Sequence, residues 1–251
     1  MNVFSLASYA VPRALQPIGR YWRHRLAGTL DPEMEWLFGR MRTRRTFVDV
    51  GANFGVFTHA AHRRNFQVAA FEPFPDCVAI LRAYARAHSD VMIHNVALGA
   101  AHGTATLHVP RSRARFIPAL GTLREGTNLP GLRVENFRVD VAPLDAFALR
   151  NVGALKIDVE GYEFDVLAGA RETIARERPL ILVELNARYV AEPFEAAFRR
   201  FEALGYHGEY LDDDLRPAPV ASYVLAEHQR INGLRNSKRS IMNFLWTPND
   251  G

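Results

Sequence analysis

The sequence predicts an α/β fold built on an open, mostly parallel sheet with helices on both faces. Three observations lead there. From residue 46 onward, short apolar runs alternate with stretches of helical periodicity, the pattern of consecutive βαβ units. Leu180 to Leu185 is nearly unbroken apolar sequence, as a strand covered on both sides requires. Glycines and carboxylates sit just past the predicted strand ends, where such sheets bind ligands.

The elements follow in order. Phe47-Val48-Asp49-Val50 reads as a buried strand ending at Gly51, and the next helix turns Phe57, Ala60 and Ala61 inward. Val68 to Phe71 is a second strand, stopped by Glu72-Pro73; Pro75-Asp76 then opens a helix that buries Val78, Leu81 and Ala85. Val91 to Asn95 is a third strand. Ala105, Leu107 and Val109 alternate with polar residues as in a half-exposed strand. Residues 110–132 show no period and read as a lid, binding loop or disordered segment. Val134 to Val141 and Ala154 to Val159 resume as strands. One helix carries Phe164, Leu167, Ala170 and Ile174 and cannot continue past Pro179. After Pro193, Phe194, Ala197, Phe198, Phe201 and Leu204 form one apolar stripe that stops at Gly205. Two weaker strands, near Gly208 to Leu211 and Met242 to Trp246, flank an irregular basic segment over 213–240. The expected organisation is a basic, helical N-terminal arm over 1–45 and one domain over 46–251.

Composition narrows the function. In 251 residues no apolar run approaches the ~18 needed for a membrane span. Cys77 is the sole cysteine, which excludes an intrachain disulfide and a cysteine metal cluster and points to a reducing, cytoplasmic setting. No charged n-region precedes Val3 to Val11, so the start does not read as a signal peptide. Of 31 basic residues only Lys156 and Lys238 are lysine. Eight arginines against Asp31, Glu33 and Glu35 make residues 1–46 basic by +5; with a whole-chain charge of +4, the rest is near neutral. That near-neutral body argues against a nucleic-acid partner despite a pI of 9.4. The arm is compatible with weak contact to a membrane surface or to an anionic acceptor.

The chemistry is read at the strand ends. The first loop follows a strand and opens a helix, but its glycines, Gly51 and Gly55, are spaced G-x-x-x-G rather than as the dinucleotide fingerprint. Asn53 stands where a glycine would admit a pyrophosphate, which disfavours a nicotinamide dinucleotide. Glu72 lies 21 residues after Gly51, at a strand tip where a carboxylate can accept both hydroxyls of a ribose. A nucleoside without a phosphate bridge fits this pair. S-adenosylmethionine is such a molecule, and its cationic sulfonium and amino groups suit Asp49 and its acidic neighbours.

The segments FVDVGANFGVFT (47–58), AFEPFP (70–75), NVALG (95–99), LDAF (144–147), LKIDVEGYEFDVLAGA (155–170) and RPLILVEL (178–185) occur in the order found in the FkbM family of methyltransferases, which the chain resembles over about residues 46–211. The resemblance implies a Rossmann-like sheet of the class I methyltransferase type, S-adenosylmethionine as cofactor, and a hydroxyl acceptor such as a sugar, glycolipid or secondary metabolite. It implies a methionine-binding loop at Asp49, Gly51, Asn53, Phe54, Gly55 and Thr58, and a ribose clamp at Glu72 with Pro73 beside it. Asn95, Val96 and Ala97 would lie against adenine. Asp158 would stand next to the transferred methyl, with Glu160 and Glu163 just beyond.

An alcohol is a poor nucleophile, so a carboxylate within hydrogen-bond reach would help by taking its proton; Asp158 and Glu160 are the two candidates. Glu184 and Asn186 could join Asp158 around a divalent cation, but the preferred reading has no metal. Histidines such as His59 and His62 lack ligand spacing. Arg111, Arg113 and Arg115 are either solvated or grip an anionic acceptor. The remaining alternatives are an RNA methyltransferase and a non-catalytic cofactor-binding protein.

Overall fold

A computed structural model describes residues 11–42, 45–112, 116–124, 131–190, 192–229 and 240–249. After a short 3-10 turn at Arg13–Leu15, the described residues form two helices, α1 (Gln16–Leu26) and α2 (Pro32–Arg40). It then alternates β1 (Thr46–Val50), α3 (Val56–His62), β2 (Gln67–Phe71), α4 (Pro75–Ala85) and β3 (Val91–His94). A short β4 (Ala97–Leu98) and the long strands β5 (Gly103–Arg111) and β6 (Arg133–Ala142) follow. The sheet resumes with β7 (Val152–Ile157), α5 (Glu163–Ala168), α6 (Arg171–Glu177), β8 (Leu180–Glu184), α7 (Phe194–Glu202) and β9 (Tyr206–Leu211). Strand β10 (Pro217–Pro219), helix α8 (Leu225–His228) and β11 (Asn243–Pro248) close the chain. Among the described residues no helix is long and apolar enough to cross a membrane.

The main sheet has eight strands in the order β10-β9-β11-β8-β7-β1-β2-β3. The run from β8 to β3 is parallel, whereas β11 is antiparallel to both of its neighbours. The chain moves outward from β1 through β2 to β3 and then crosses to β7 on the other side of β1, so strand order reverses between β1 and β7. A ligand crevice belongs at the carboxyl end of that reversal.

Alternation along the strands builds the two core layers. Phe47, Val68, Ala70 and Ala154 face one way, and helices α1 to α4 cover them with Tyr21, Met34, Leu37, Ala60, Ala61, Leu81 and Tyr84. Val48, Val50, Ala69, Phe71, Leu155 and Ile157 face the other way, toward Val166, Ile174, Phe194, Ala197, Phe198 and Phe201. The N-terminal helices therefore share a core with the sheet: Tyr21, Met34 and Leu37 are wholly buried. The apolar stripe of α7 does as its spacing predicts, with Phe201 stacked on Trp246 of β11 at 4.4 Å between ring centroids.

Two expectations need correction. The single helix expected over Phe164 to Ile174 is two, α5 and α6, broken at Gly169-Ala170. Gly169 lies so close to Gly99 that a Cβ there would sit 2.0 Å from the Gly99 carbonyl oxygen. The second helix is restarted by Asp145, whose carboxylate oxygens accept the amides of Glu172 (2.9 Å) and Thr173 (2.8 Å), a cap supplied from a distant segment. The second correction concerns 110–132. Strand β5 runs on to Arg111, and Phe116 to Arg124 folds back over it, with His108 paired to Thr122 and Arg111 to Phe116. Arg113 and Arg115 lie outside the described residues, as do Thr43-Arg44 and most of the basic end of 213–240. Strands β4, β6 and β5 form a second, three-stranded sheet, in which Leu107, Val109 and Val139 join Phe74, Cys77 and Ala97 in a third apolar cluster. This small sheet stands beside the carboxyl ends of β1, β2 and β7.

Candidate functional site

Two cavities meet at the reversal point and share Gly51, Asn53, Pro118, Ala119 and Asp158 in their walls. The first, about 270 Å³, runs from Glu72 past the apolar side chains of Phe71, Val96 and Ala97 to Asp158, Glu160 and Glu184. Its outer wall is the folded-back segment, through Pro118, Gly121 and Leu123. The second, about 460 Å³, lies between the loop Gly51–Phe57 and the α1–α2 connection.

The loop after β1 is held from below. Gly51 has φ +72°, and a Cβ there would meet the Asp158 carbonyl oxygen at 1.9 Å, so only glycine fits. Asn53 is also left-handed, at φ 51°. Its amide donates to Glu72 Oε2 at 2.7 Å, while the Phe74 amide donates to Oε1 at 2.8 Å. Glu72 thus ties the ends of β1 and β2 together. Burial pushes its pKa up to about 7 although both amides favour the anion. Each of its oxygens keeps a lone pair beyond the amide it accepts.

Asp49 does not reach either cavity. Its side chain is fully buried, and Oδ2 accepts the Thr58 hydroxyl at 2.6 Å. Thr58 is likewise buried behind the loop. Beside them stands a residue that the strand-end reading passed over, Lys156, inside β7. Its Nζ lies 3.1 Å from Asp158 Oδ2 and 3.7 Å from Asp49 Oδ1, and donates to the Gly51 carbonyl at 3.0 Å. Burial pulls the ammonium down, but Asp158 and Asp49 outweigh it and hold its pKa above the ordinary value. Burial raises Asp49 against the pull of Lys156 and Thr58. The two directions oppose each other over the charge of this pair; the shorter contact makes Lys156–Asp158 the principal ion pair. Expecting only acidic groups at the strand ends was therefore incomplete, since a buried cation joins two of them. The available signal was that Lys156 is one of two lysines in a chain otherwise given to arginine. A compact ammonium fits between two buried carboxylates where a planar guanidinium does not.

The turn after β7 carries the other carboxylates. Glu160 takes φ 53°, a left-handed conformation uncommon outside glycine. The folded-back segment holds it there: Thr122 Oγ1 donates to the Glu160 carbonyl at 2.6 Å, and Arg124 Nε to the Gly161 carbonyl at 2.7 Å. Asp158, Glu160 and Glu184 each bring one oxygen within 4.8 Å of the others. Burial, then Asp158 and Glu163, push Glu160 up to about 8. Burial, then Asp158 and Glu160, raise Glu184 as well. Glu163 turns inward to accept the Gly161 amide at 2.8 Å, and burial raises it to about 7. The side-chain oxygen of Asn186 accepts the Arg188 amide at 3.0 Å.

Of the other residues named from sequence, Phe54 lines the second cavity, and Pro73, Val96 and Ala97 the first. Gly55 packs on Leu81 and Pro17 at the start of α3. Asn95 is exposed and turns its amide back to the carbonyls of Glu72 and Pro73, at 3.4 and 3.3 Å. Thr122, Arg124 and the α1 residues were not anticipated, because contacts between distant segments leave no periodic mark.

Sheet order, reversal point and cavity together define a Rossmann-like fold of the class I methyltransferase type. A family model, the methyltransferase FkbM domain, matches residues 49–207, and the chain belongs to that family. A solved methyltransferase FkbM from Methylobacillus flagellatus shares the fold at 16% identity and a TM-score of 0.53. The similarity covers 94% of this chain but only 55% of that one. A precorrin-6y C5,15-methyltransferase from Geobacter metallireducens matches at 12% identity and a TM-score of 0.47, covering 86% of this chain and 85% of that one. A TehB-like SAM-dependent methyltransferase from Corynebacterium glutamicum matches at 10% identity and a TM-score of 0.47, covering 94% and 98%. No curated protein matches the chain.

Proposed function

We propose that the chain is an S-adenosylmethionine-dependent O-methyltransferase acting on a hydroxyl of a small molecule or glycan. The observation that carries this reading is the continuous path from Glu72 along apolar walls to the clustered carboxylates of Asp158, Glu160 and Glu184. The residues fit the donor: apolar walls suit a purine, and Glu72, anchored through two amides, offers its remaining lone pairs to ribose hydroxyls. What the donor supplies when bound is an activated methyl group. The chain's contribution is alignment, which can be worth up to ~7–11 kcal/mol of the barrier, and a base for the acceptor proton.

Glu160 is the better of the two candidate bases. Asp158 is already engaged by the Lys156 ammonium, 3.1 Å from its Oδ2. Glu160 has no ion-pair partner within salt-bridge distance among the described residues, and its raised pKa makes it the stronger base once ionised. A base of this kind acts in its deprotonated form, so kcat/KM should rise with pH through about 8.

The test is a screen of hydroxylated acceptors with labelled methyl donor, followed by Glu160→Gln and Asp158→Asn. We expect Glu160→Gln to lower turnover roughly 10²–10⁴-fold while donor affinity stays within about threefold. Near-full turnover in Glu160→Gln would remove the base assignment. Activity abolished by a chelator and restored by magnesium would instead assign the three clustered carboxylates to a cation.

A further inference from the structure

Helix α1 packs one side onto the domain and leaves the other side bare. Leu15, Trp22 and Leu26 are 50%, 40% and 84% exposed, three of the seven large apolar side chains exposed among the described residues. With exposed Gly19 between them they follow one helical line, i, i+4, i+7 and i+11, opposite the buried Pro17 and Tyr21. We infer that this face docks α1, lying flat, onto an anionic phospholipid bilayer.

The helix that carries the face is anchored. Tyr21 is wholly buried, edge-on to His59 at 5.2 Å between ring centroids, and its hydroxyl accepts from Arg63 at 3.1 Å. Pro17 packs so near Gly55 that a Cβ there would lie 3.4 Å from it. The inner side of α1 already has its core contacts, so the outer line is not a core face that its own domain has left unfilled. Apolar side chains gathered on one exposed patch mark a contact surface, whereas scattered ones do not.

Charge selects the occupant. On a helical wheel Arg23 and Arg25 fall to either side of the apolar line, and α1 contains no acidic residue. Arg63, exposed just beyond α3, brings its guanidinium carbon to 5.3 Å from the Trp22 ring centroid. Glu35 of α2 is matched by Arg25 at 3.5 Å and by Arg64 at 2.5 Å. The preceding ten residues, MNVFSLASYA, add no charged side chain. Leucine and tryptophan side chains enter the boundary between headgroups and acyl chains, and the flanking arginines reach lipid phosphates at that depth. A second copy of this chain is a poorer match, since two-fold pairing of this face sets Arg23 and Arg25 against their own counterparts. A nucleic acid would engage the arginines and leave Leu15 and Leu26 uncovered. His24, on the inner side of α1, lines the second cavity, so docking holds that cavity about one helix diameter, ~10–12 Å, from the headgroups.

The experiment is flotation of the full chain with vesicles of phosphatidylcholine alone and of phosphatidylcholine mixed with an equal amount of phosphatidylglycerol. The parent should float with the mixed vesicles, stay behind with the neutral ones, and lose binding as salt is raised. Tryptophan emission should shift to the blue on the mixed vesicles, and Trp22→Phe should remove that shift. Leu26→Glu should weaken vesicle binding roughly tenfold or more with an unchanged unfolding midpoint, because the side chain is 84% exposed. Leu15→Gln, at the other end of the line, should weaken it less. Failure of the parent to float, or equal flotation of Leu26→Glu, overturns the inference. A concentration-dependent dimer that Leu26→Glu dissolves also overturns it and assigns the face to a second copy. RNA binding abolished by the same change, with no flotation, would assign it to nucleic acid instead.

Discussion

Two strand-to-helix turns face each other across the crevice and are built in opposite ways. The turn after β1, Gly51 to Gly55, is braced by its own neighbourhood: Glu72 from the adjacent strand takes the Asn53 amide, and Lys156 from the strand on the other side takes the Gly51 carbonyl. The turn after β7, Asp158 to Gly161, depends on a remote segment, with Thr122 and Arg124 reaching in to hold the Glu160 and Gly161 carbonyls. The first turn is held by groups from the sheet itself. The second presents the carboxylates of Asp158 and Glu160 and is set by a segment outside the main sheet.

The contrast predicts an order of sensitivity. Lys156→Met should be the most damaging of four changes to stability, by about 3–5 kcal/mol in denaturant unfolding, since it strands the buried Asp49 carboxylate. Adding Asp49→Asn should restore part of that loss, and a double variant no better than the single one would show that the pair is not coupled. Gly51→Ala, which forces a Cβ onto the Asp158 carbonyl, should cost about 1–3 kcal/mol and weaken donor binding. An unchanged midpoint would mean that the two turns are not in close contact.

The pH dependence tests the second turn. Glu160 binds its proton more tightly folded, at about 8, than its ordinary value of 4.5. Its contribution to stability is therefore full below about 4.5 and lost as pH rises through about 8. Unfolding midpoints should fall over that window in the parent and fall less steeply in Glu160→Gln; parallel curves would contradict the shift. The smallest effect belongs to Thr122→Val, which should cost about 1 kcal/mol and slow methyl transfer severalfold without changing donor affinity. Equal losses in both functions would erase the distinction between the turns.

Legibility from sequence divides along the same line. Strands β1, β2, β7 and β8 announced themselves as short apolar runs, and Glu72 was visible as a carboxylate at a strand tip, because burial and periodicity are local properties. The break between α5 and α6 was not, since it arises from Gly169 meeting Gly99 and from Asp145 capping a distant helix. The fold-back of Phe116 to Arg124 was hidden for the same reason: its pairing with β5 rests on two isolated bridges rather than on a pattern of its own.

Sequence alone determined the class of fold and the positions of the crevice-facing turns, because alternation and glycine placement are imposed residue by residue, while the family was indicated by the resemblance of its ordered motifs. Tertiary structure decided which charges meet. It withdrew Asp49 behind the loop, set Lys156 between two carboxylates, gathered Glu160 with Asp158 and Glu184, and laid α1 along the second cavity. Electrostatic effects depend on distance and on exclusion of water, and neither exists until the chain is folded.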